Sequence, residues 1–369
     1  MNITLPRADL APALAAVTRI VERRNTIPIL GCLLLRGEDD ALAITASDLD
    51  IEMTIRLPAA IETPGATTVA AHALAAFVQR LPEDADVALV VGDDGLTIRS
   101  GRARATLPIL PATDFPILAP LKDATGGAVD AAGFAQMLDV VAFALATDEG
   151  RYYLNGAHLH ALEQDGRAVL RAVATDGHRL AWAQIDRPAA LADWPGVIVP
   201  RKSVGELQRL ARAADGEMTL TCDSVKLRAV AGAATLTTKL IDGTFPDYHR
   251  VIPTQNNKRL RVDTARLAAA LQRIVAVSDA RGSVVRIDLD EDRLAVSLGR
   301  QETGRAASEE IDVDWDAAPM TIGVNARYAL DVIDALDVDE ALIRLDSPGA
   351  PILLSGRPDA LFLVMPAKV

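Results

Sequence analysis

The sequence predicts an α+β protein of three similar domains, each a doubled unit of two helices packed on antiparallel sheets. Three observations predict it. A helical stretch opens near Arg7, Asp130 and Asp263, and a second follows within each repeat near Ala71, Pro200 and Asn325. The second stretches are HALAAFVQRLPEDADVALVV (72–91), RKSVGELQRLARAADGEMTL (201–220) and NARYALDVIDALDVDEALIR (325–344); each reads as an amphipathic helix, a short acidic turn and an apolar β run. The first stretches, RADLAPALAAVTRIV, AAGFAQMLDVVAFAL and TARLAAALQRIVAVS, rhyme in the same way. A period this long marks a repeated domain, because solenoid units recur every ~20–50 residues.

Between the helices the strands are short and set off by turn residues. In repeat one, ILGCLLLRG, ALAITASD and IEMTIRLP follow the first helix, with a turn at Gly37-Glu38-Asp39-Asp40. VALVVGDDGLTIRSGRARATLPI then folds back at Gly92-Asp93-Asp94-Gly95 and at Ser100-Gly101, both hairpin chemistry. Repeat two echoes this in AHLHALEQDGRAVLRAVATDGHRLAWAQI and MTLTCDSVKLRAVAGAATLTTKLI. Repeat three does so in VVRIDLDEDRLAVSLG and ALIRLDSPGAPILLSGRPDALFLVMP. The order helix, strands, helix, strands implies antiparallel meanders, not the alternating pattern of a doubly wound sheet.

Two segments rich in Pro and Gly separate the repeats: Pro111 to Gly127 and Asp242 to Asn257, which share a Phe-Pro core at Phe115-Pro116 and Phe245-Pro246. They read as ordered connectors. The expected domains are 1–120, 128–247 and 251–369.

Composition narrows the class. At 369 residues the chain exceeds what one core supports. No apolar run approaches the ~18–20 residues that span a bilayer, and MNITLPRADL lacks the basic-then-apolar pattern of a signal peptide. Cys32 and Cys222 stand far apart, so no disulfide framework is expected and a reducing cytoplasm is the natural setting. The net charge of −12 argues against coating nucleic acid with the whole surface. Individual helices differ: Arg7–Arg24 carries four Arg against Asp9 and Glu22. Arg201, Lys202, Arg209 and Arg212 face only Glu206, whereas Asp331, Asp334 and Asp337 make 325–337 negative.

Catalytic signatures are missing. No P-loop, dinucleotide fingerprint, zinc-protease motif or nucleophile elbow occurs. His158 and His160 lie two apart on a strand and share a face, but no Cys or carboxylate partner accompanies them, so core packing is the reading. In ATDGHRL (174–180), Asp-Gly is turn chemistry, and the loop presents His178, Arg179 and Leu180 for binding.

Several segments together carry a resemblance. RYYLNG (151–156), ATDGHRLA (174–181), VIVPRK (197–202), KLIDGTFPDY (239–248) and VMP (364–366) resemble the bacterial replicative sliding clamps, the beta subunits of DNA polymerase III. So do TIPILGCLLL (26–35), SGRARATL (100–107), ATDFP (112–116) and IGVNARYALDVIDAL (322–336). They fall in order in all three repeats.

The resemblance implies a head-to-tail homodimer, a six-domain ring whose helices line a hole for duplex DNA read without sequence specificity. It implies no enzyme activity, no cofactor and no metal. The partners would be double-stranded DNA, a second copy, a clamp-loader complex, the replicative polymerase alpha subunit, and other polymerases and repair proteins carrying clamp-binding peptides, with no membrane. The peptide pocket would be formed by Leu154, Thr175, Gly177, His178, Arg179, Leu180, Pro246, Arg250, Val251, Val364, Met365 and Pro366, with Asn325 and Tyr328 at its margin. Ala367 stands where the family usually has a larger side chain, which would leave one subsite wider. Arg24 carries over as a DNA contact and Arg80, Arg201 and Lys202 are further candidates. Asp148 stands where a Gln can serve, so no contact is carried over there. At the dimer interface Arg99, Arg102, Arg104 and Leu107 would face Ala276, Val277, Glu309 and Glu310. Ala105 and Ala276 are smaller than the usual occupants, implying a thinner apolar contact. The alternatives are a clamp paralogue specialised for repair or drug resistance, and a duplicated-domain enzyme of nucleotide metabolism.

Overall fold

The computed structural model describes residues 1–24, 26–278, 284–299 and 305–369. In the first repeat β1 (Asn2–Pro6) leads into α1 (Arg7–Thr18). Then come β2 (Cys32–Glu38), β3 (Ala41–Ser47), β4 (Ile51–Pro58), β5 (Ala60–Thr63) and β6 (Gly65–Ala70). After α2 (Ala71–Gln79) the repeat closes with β7 (Asp86–Gly92), β8 (Gly95–Ser100) and β9 (Ala103–Leu107).

The second repeat runs β10 (Thr125–Asp130), α3 (Ala131–Ala142), β11 (Gly156–Gln164), β12 (Arg167–Thr175), β13 (Arg179–Asp186) and β14 (Val197–Pro200). It continues with α4 (Arg201–Ala213), β15 (Glu217–Cys222), β16 (Lys226–Ala231) and β17 (Ala234–Lys239). The third repeat has β18 (Lys258–Asp263), α5 (Thr264–Val277), β19 (Val284–Asp290), β20 (Arg293–Leu298), β21 (Ala307–Asp312) and β22 (Asp314–Trp315). It ends with β23 (Met320–Asn325), α6 (Ala326–Leu336), β24 (Glu340–Leu345), β25 (Ile352–Ser355) and β26 (Ala360–Val364).

The first helix of each repeat buries one stripe at the same spacing. In α1 it is Leu10, Ala13, Leu14 and Val17; in α3 Phe134, Met137, Leu138 and Val141; in α5 Leu267, Ala270, Leu271 and Ile274. Positions i, i+3, i+4 and i+7 share a helix face, so the rhyme in the sequence is a rhyme in the core. Truncating Leu14 or Leu271, each wholly buried, would cost about 2–5 kcal/mol. Asp263 caps α5, its carboxylate accepting from Arg266 N at 2.8 Å, and Asn325 caps α6 through Arg327 N at 3.0 Å.

One sheet orders its strands β10-β15-β16-β17-β4-β3-β2-β6 and another β14-β11-β12-β13-β26-β25-β24-β18-β22. Each sheet crosses a linker: β17 pairs antiparallel with β4, and β13 with β26. The chain accordingly gathers into two compact units, residues 1–131 with 209–240 and residues 132–208 with 241–369. Smaller sheets, β5-β1-β7-β8-β9 in the first unit and β21-β20-β19-β23 in the second, complete the architecture.

Each repeat opens with a strand before its first helix, and in the second repeat that strand overlaps the expected connector. β10 takes in Thr125–Gly127, the end of the first linker, and pairs with β15. Gly126 is in the ladder because a Cβ there would lie 2.5 Å from Leu220 O. The glycine signals close approach of two backbones, and not a loop.

Candidate functional site

Two turns, one in each unit, share a single backbone plan. In the first unit Asp48 Oδ1 accepts from Asp50 N at 3.0 Å and Ile51 N at 2.7 Å, and Ser47 Oγ accepts from Leu49 N at 3.2 Å. In the second, Asp176 Oδ1 accepts from His178 N at 2.9 Å and Arg179 N at 3.0 Å, and Thr175 Oγ1 accepts from Gly177 N at 3.1 Å. The central residues, Leu49 and Gly177, have φ of 80° and 87°. Each turn then receives a later strand: Lys239 N donates to Asp50 O at 2.8 Å, and Met365 N to His178 O at 2.7 Å. The shared signal, Ser-Asp at 47–48 and Thr-Asp at 175–176, was available in the sequence.

The two turns differ in what lies beside them. In the first unit the residue after Ile51 is Glu52, whose carboxylate accepts from Leu118 N at 2.8 Å. Burial pushes its pKa up, against that hydrogen bond and the charge of Arg228. Lys226 Nζ holds the same connector through Pro120 O at 2.8 Å. At the corresponding place in the second unit stands Leu180, buried with Leu154, Val173, Trp182, Ile198, Phe245, Tyr248 and Leu363. The first turn is tied to its linker by polar bonds, whereas the second stands over an apolar floor.

The expected pocket residues gather around that floor. Leu154, Leu180 and Val364 are buried; Pro246, Arg250, Val251 and Met365 are exposed along the rim, and Pro366 is half-buried. Arg179 pairs in register with Val364 and Leu180 with Leu363, which brings the 364–366 segment beside the turn. The Tyr328 ring, positioned by the Asn325 cap, stacks with His178 at 5.9 Å and lies 4.6 Å below the Arg179 guanidinium. Arg179 also bonds Asp176 at 3.0 Å and the carboxylate of Asp331. Arg250 pairs with Asp247 at 3.1 Å.

Beneath this rim runs a buried polar network. Arg171, 2% exposed, covers the Trp182 ring at 4.0 Å and donates to Tyr248 OH at 3.0 Å. Tyr248 OH meets His160 Nε2 at 3.2 Å. His158 stacks on both His160 (4.6 Å) and Phe245 (4.9 Å). Burial lowers the His158 pKa to about 4. Burial and the charges of His158, Arg171 and His249 lower His160 to about 3, so both rings are neutral packing groups near neutral pH. No cluster of three or more His, Cys, Asp or Glu suited to a metal occurs among the described residues.

Family models for the DNA polymerase III beta subunit match in sequence: the N-terminal domain at residues 1–119, the central domain at 128–247 and the C-terminal domain at 249–367. The chain belongs to the DNA polymerase III beta subunit family. Among similar proteins, the beta sliding clamp of Caulobacter vibrioides is 42% identical and that of Escherichia coli K12 35%, each over the full length of both chains. Among solved structures, a Bartonella birtlesii sliding clamp bound to griselimycin matches with TM-score 0.97 at 36% identity, covering 100% of each chain. A Caulobacter crescentus beta sliding clamp, with PEG bound to a putative beta-motif tethering region, matches with TM-score 0.95 at 42% identity, covering 100% of this chain and 99% of that one.

The other residues expected from the clamp family occupy distinct places. Arg99, Arg102 and Arg104 are exposed and Leu107 half-buried on β8–β9, and β9 is a free edge of its sheet. Glu309 and Glu310 lie on β21, likewise a free edge, with Ala276 and Val277 exposed at the end of α5. Both glutamates already have partners within the chain: Arg273 Nε lies 2.7 Å from Glu309, and Arg293 lies 3.3 Å from Glu310. Arg80 is exposed at the C-terminal end of α2, donating to Ala76 O at 2.7 Å, and Arg24 is exposed in the bend six residues beyond the end of α1. Between these helices an open groove of about 680 Å³ is lined by Arg7, Arg19, Arg23 and His72. Arg201 and Lys202 are exposed in the first turn of α4. The groove between α5 and α6, about 530 Å³, is instead lined by Asp331, Asp334, Asp337 and Asp339.

Proposed function

We propose that the chain acts as the processivity clamp of a DNA polymerase: a non-catalytic ring that holds the polymerase on duplex DNA. Three domains, 1–120, 128–247 and 251–369, build each protomer, and two protomers join head to tail through β9 of one and β21 of the other. Among the described residues β9 and β21 are edge strands, which supports this pairing, and the arginines of the β8–β9 hairpin complement the acids of β21. DNA is held by enclosure, with weak phosphate contacts from Arg24, Arg80, Arg201 and Lys202 that leave it free to slide.

The groove around Leu180 and Val364 takes the tethering peptide of a polymerase, clamp loader or repair protein. An apolar floor for large side chains, with His178, Arg179 and Arg250 at the rim to set register, supports that use. The family reading supports a cytoplasmic protein without cofactor or metal, and no described helix is long and apolar enough to cross a membrane. The full-length match of three family models carries the proposal. Extension of a primed circular template by the polymerase and clamp loader tests it. Products from a single binding event lengthen many-fold when the chain is added; unchanged product length would overturn the reading.

A further inference from the structure

The segment after β26 crosses from one sheet of the second unit to another. Met365 N donates to His178 O beside β13, and two residues on Ala367 N donates to Gly323 O at 2.8 Å on β23. β23 is an edge strand, so the segment uses a carbonyl that the sheet leaves unpaired. The run from Met365 through Pro366 to Ala367, which flanks the proposed peptide site, is thus held at both ends.

The second fastening needs a bare backbone. Gly323 is buried, and a Cβ on it would lie 2.7 Å from Val369 Cγ1 and closer still to Ala367 O. A backbone carbonyl cannot swing aside as a side-chain end can, so any larger residue displaces the segment. The corresponding contact in the second repeat shows that glycine is not a demand of the strand itself. There Ile241 N donates to Ile198 O at 2.9 Å, and Ile198 keeps a full side chain buried in the core. The φ of Gly323 is not in the left-handed region, so chain geometry does not require glycine either.

We propose that Gly323 is a positioning residue for peptide docking. It is the seat on which residues 365–369 lie, so that Met365 and Pro366 stand as a fixed wall of the groove. The inference rests on the groove's being the peptide site. It adds a residue that touches no peptide, and it makes the order of the 365–369 segment a determinant of affinity.

The test compares four full-length or near full-length proteins: the natural sequence, Gly323→Ala, a chain ending at Pro366, and that shorter chain with Gly323→Ala. The probe is a fluorescein-labelled hexapeptide, polar at its start and ending in Leu-Phe, read by anisotropy; amide exchange at Met365 and Ala367 is followed in parallel. Gly323→Ala is expected to weaken the peptide about tenfold and to remove protection at Ala367, with thermal stability and self-association unchanged. In the shorter chain, which lacks the atoms that clash, the same substitution is expected to change nothing. An equal loss in both backgrounds, or no loss in either, overturns the proposal. If the natural protein does not bind the probe at all, the reading of the groove fails instead, and exchange at Ala367 still decides whether Gly323 seats the segment.

Discussion

The Arg179 guanidinium on β13 donates to the carboxylate of Asp331 on α6, joining the central repeat to the third through one side chain. The same group bonds Asp176 and lies over the rings of Phe143 and Tyr328 at 5.1 and 4.6 Å. At 12% exposure it is shielded enough for these contacts to matter, whereas surface pairs contribute little. Arg179→Ala is therefore expected to destabilise the protein by about 1–3 kcal/mol and to loosen Tyr328. Denaturant unfolding checks the first effect. Peptide anisotropy checks the second, and an unaltered affinity would remove Arg179 from the rim.

The paired turns give a reciprocal expectation. Gly177→Ala places a side chain at φ 87°, with its Cβ 2.5 Å from Arg151 Nη1, and is expected to cost about 1 kcal/mol. Leu49→Gly relieves the same conformation at φ 80° in the first unit and is expected to be neutral or slightly stabilising. Gly177→Ala should lower the melting temperature and Leu49→Gly should not; a matched fall in both would show that the turns are not equivalent.

Acid should weaken the protein through His158 and His160. Their pKa values in the folded state are about 4 and about 3, below the ~6.5 of an unfolded chain. The unfolded state thus binds more protons as pH falls below ~6.5, and stability fully present above that value is lost progressively towards pH 4 and below. Besides burial, the charges of His158, Arg171 and His249 add to the cost of charging His160, whose Nε2 meets Tyr248 OH. Carboxylates change over part of this range too, so the comparison is with His158→Phe. Urea titrations at pH 7 and pH 5 should show a smaller difference in that variant than in the natural protein, and equal differences would exclude the histidines.

Much of this was legible in the sequence because the repeat is carried by core positions. The stripe of Leu10, Ala13, Leu14 and Val17 is a local periodicity, and its counterparts at 134–141 and 267–274 declared three domains. The pocket residues were assembled from separate motifs, and the β13–β26 register brings Arg179 beside Val364. Long-range pairing is what the sequence could not express. That β17 continues into β4 and β13 into β26 follows from no local signal, so two units built on shared sheets were not foreseen. Nor were the partners of Glu309 and Glu310, since Arg273 reaches Glu309 from α5 and Arg293 reaches Glu310 from the neighbouring β20 only once the chain has folded.

Those ion pairs shape the expected dimer chemistry. With Glu309 and Glu310 partly neutralised inside the chain, the arginines of the β8–β9 hairpin should steer association more than they hold it. Arg104→Glu is expected to raise the dimer dissociation constant several-fold at low salt and less at high salt. Sedimentation at two ionic strengths reads this directly; a salt-independent change would point to packing instead of charge.

Enclosure of DNA is tested most directly by retention. The protein is loaded by a clamp loader onto a nicked circular plasmid, separated from free protein, and the plasmid is then linearised. A sliding ring stays with the circle and is lost from the linear form, because its hold is topological. Equal retention on both forms, or none on either while the protein remains monomeric, would contradict a ring that encircles DNA.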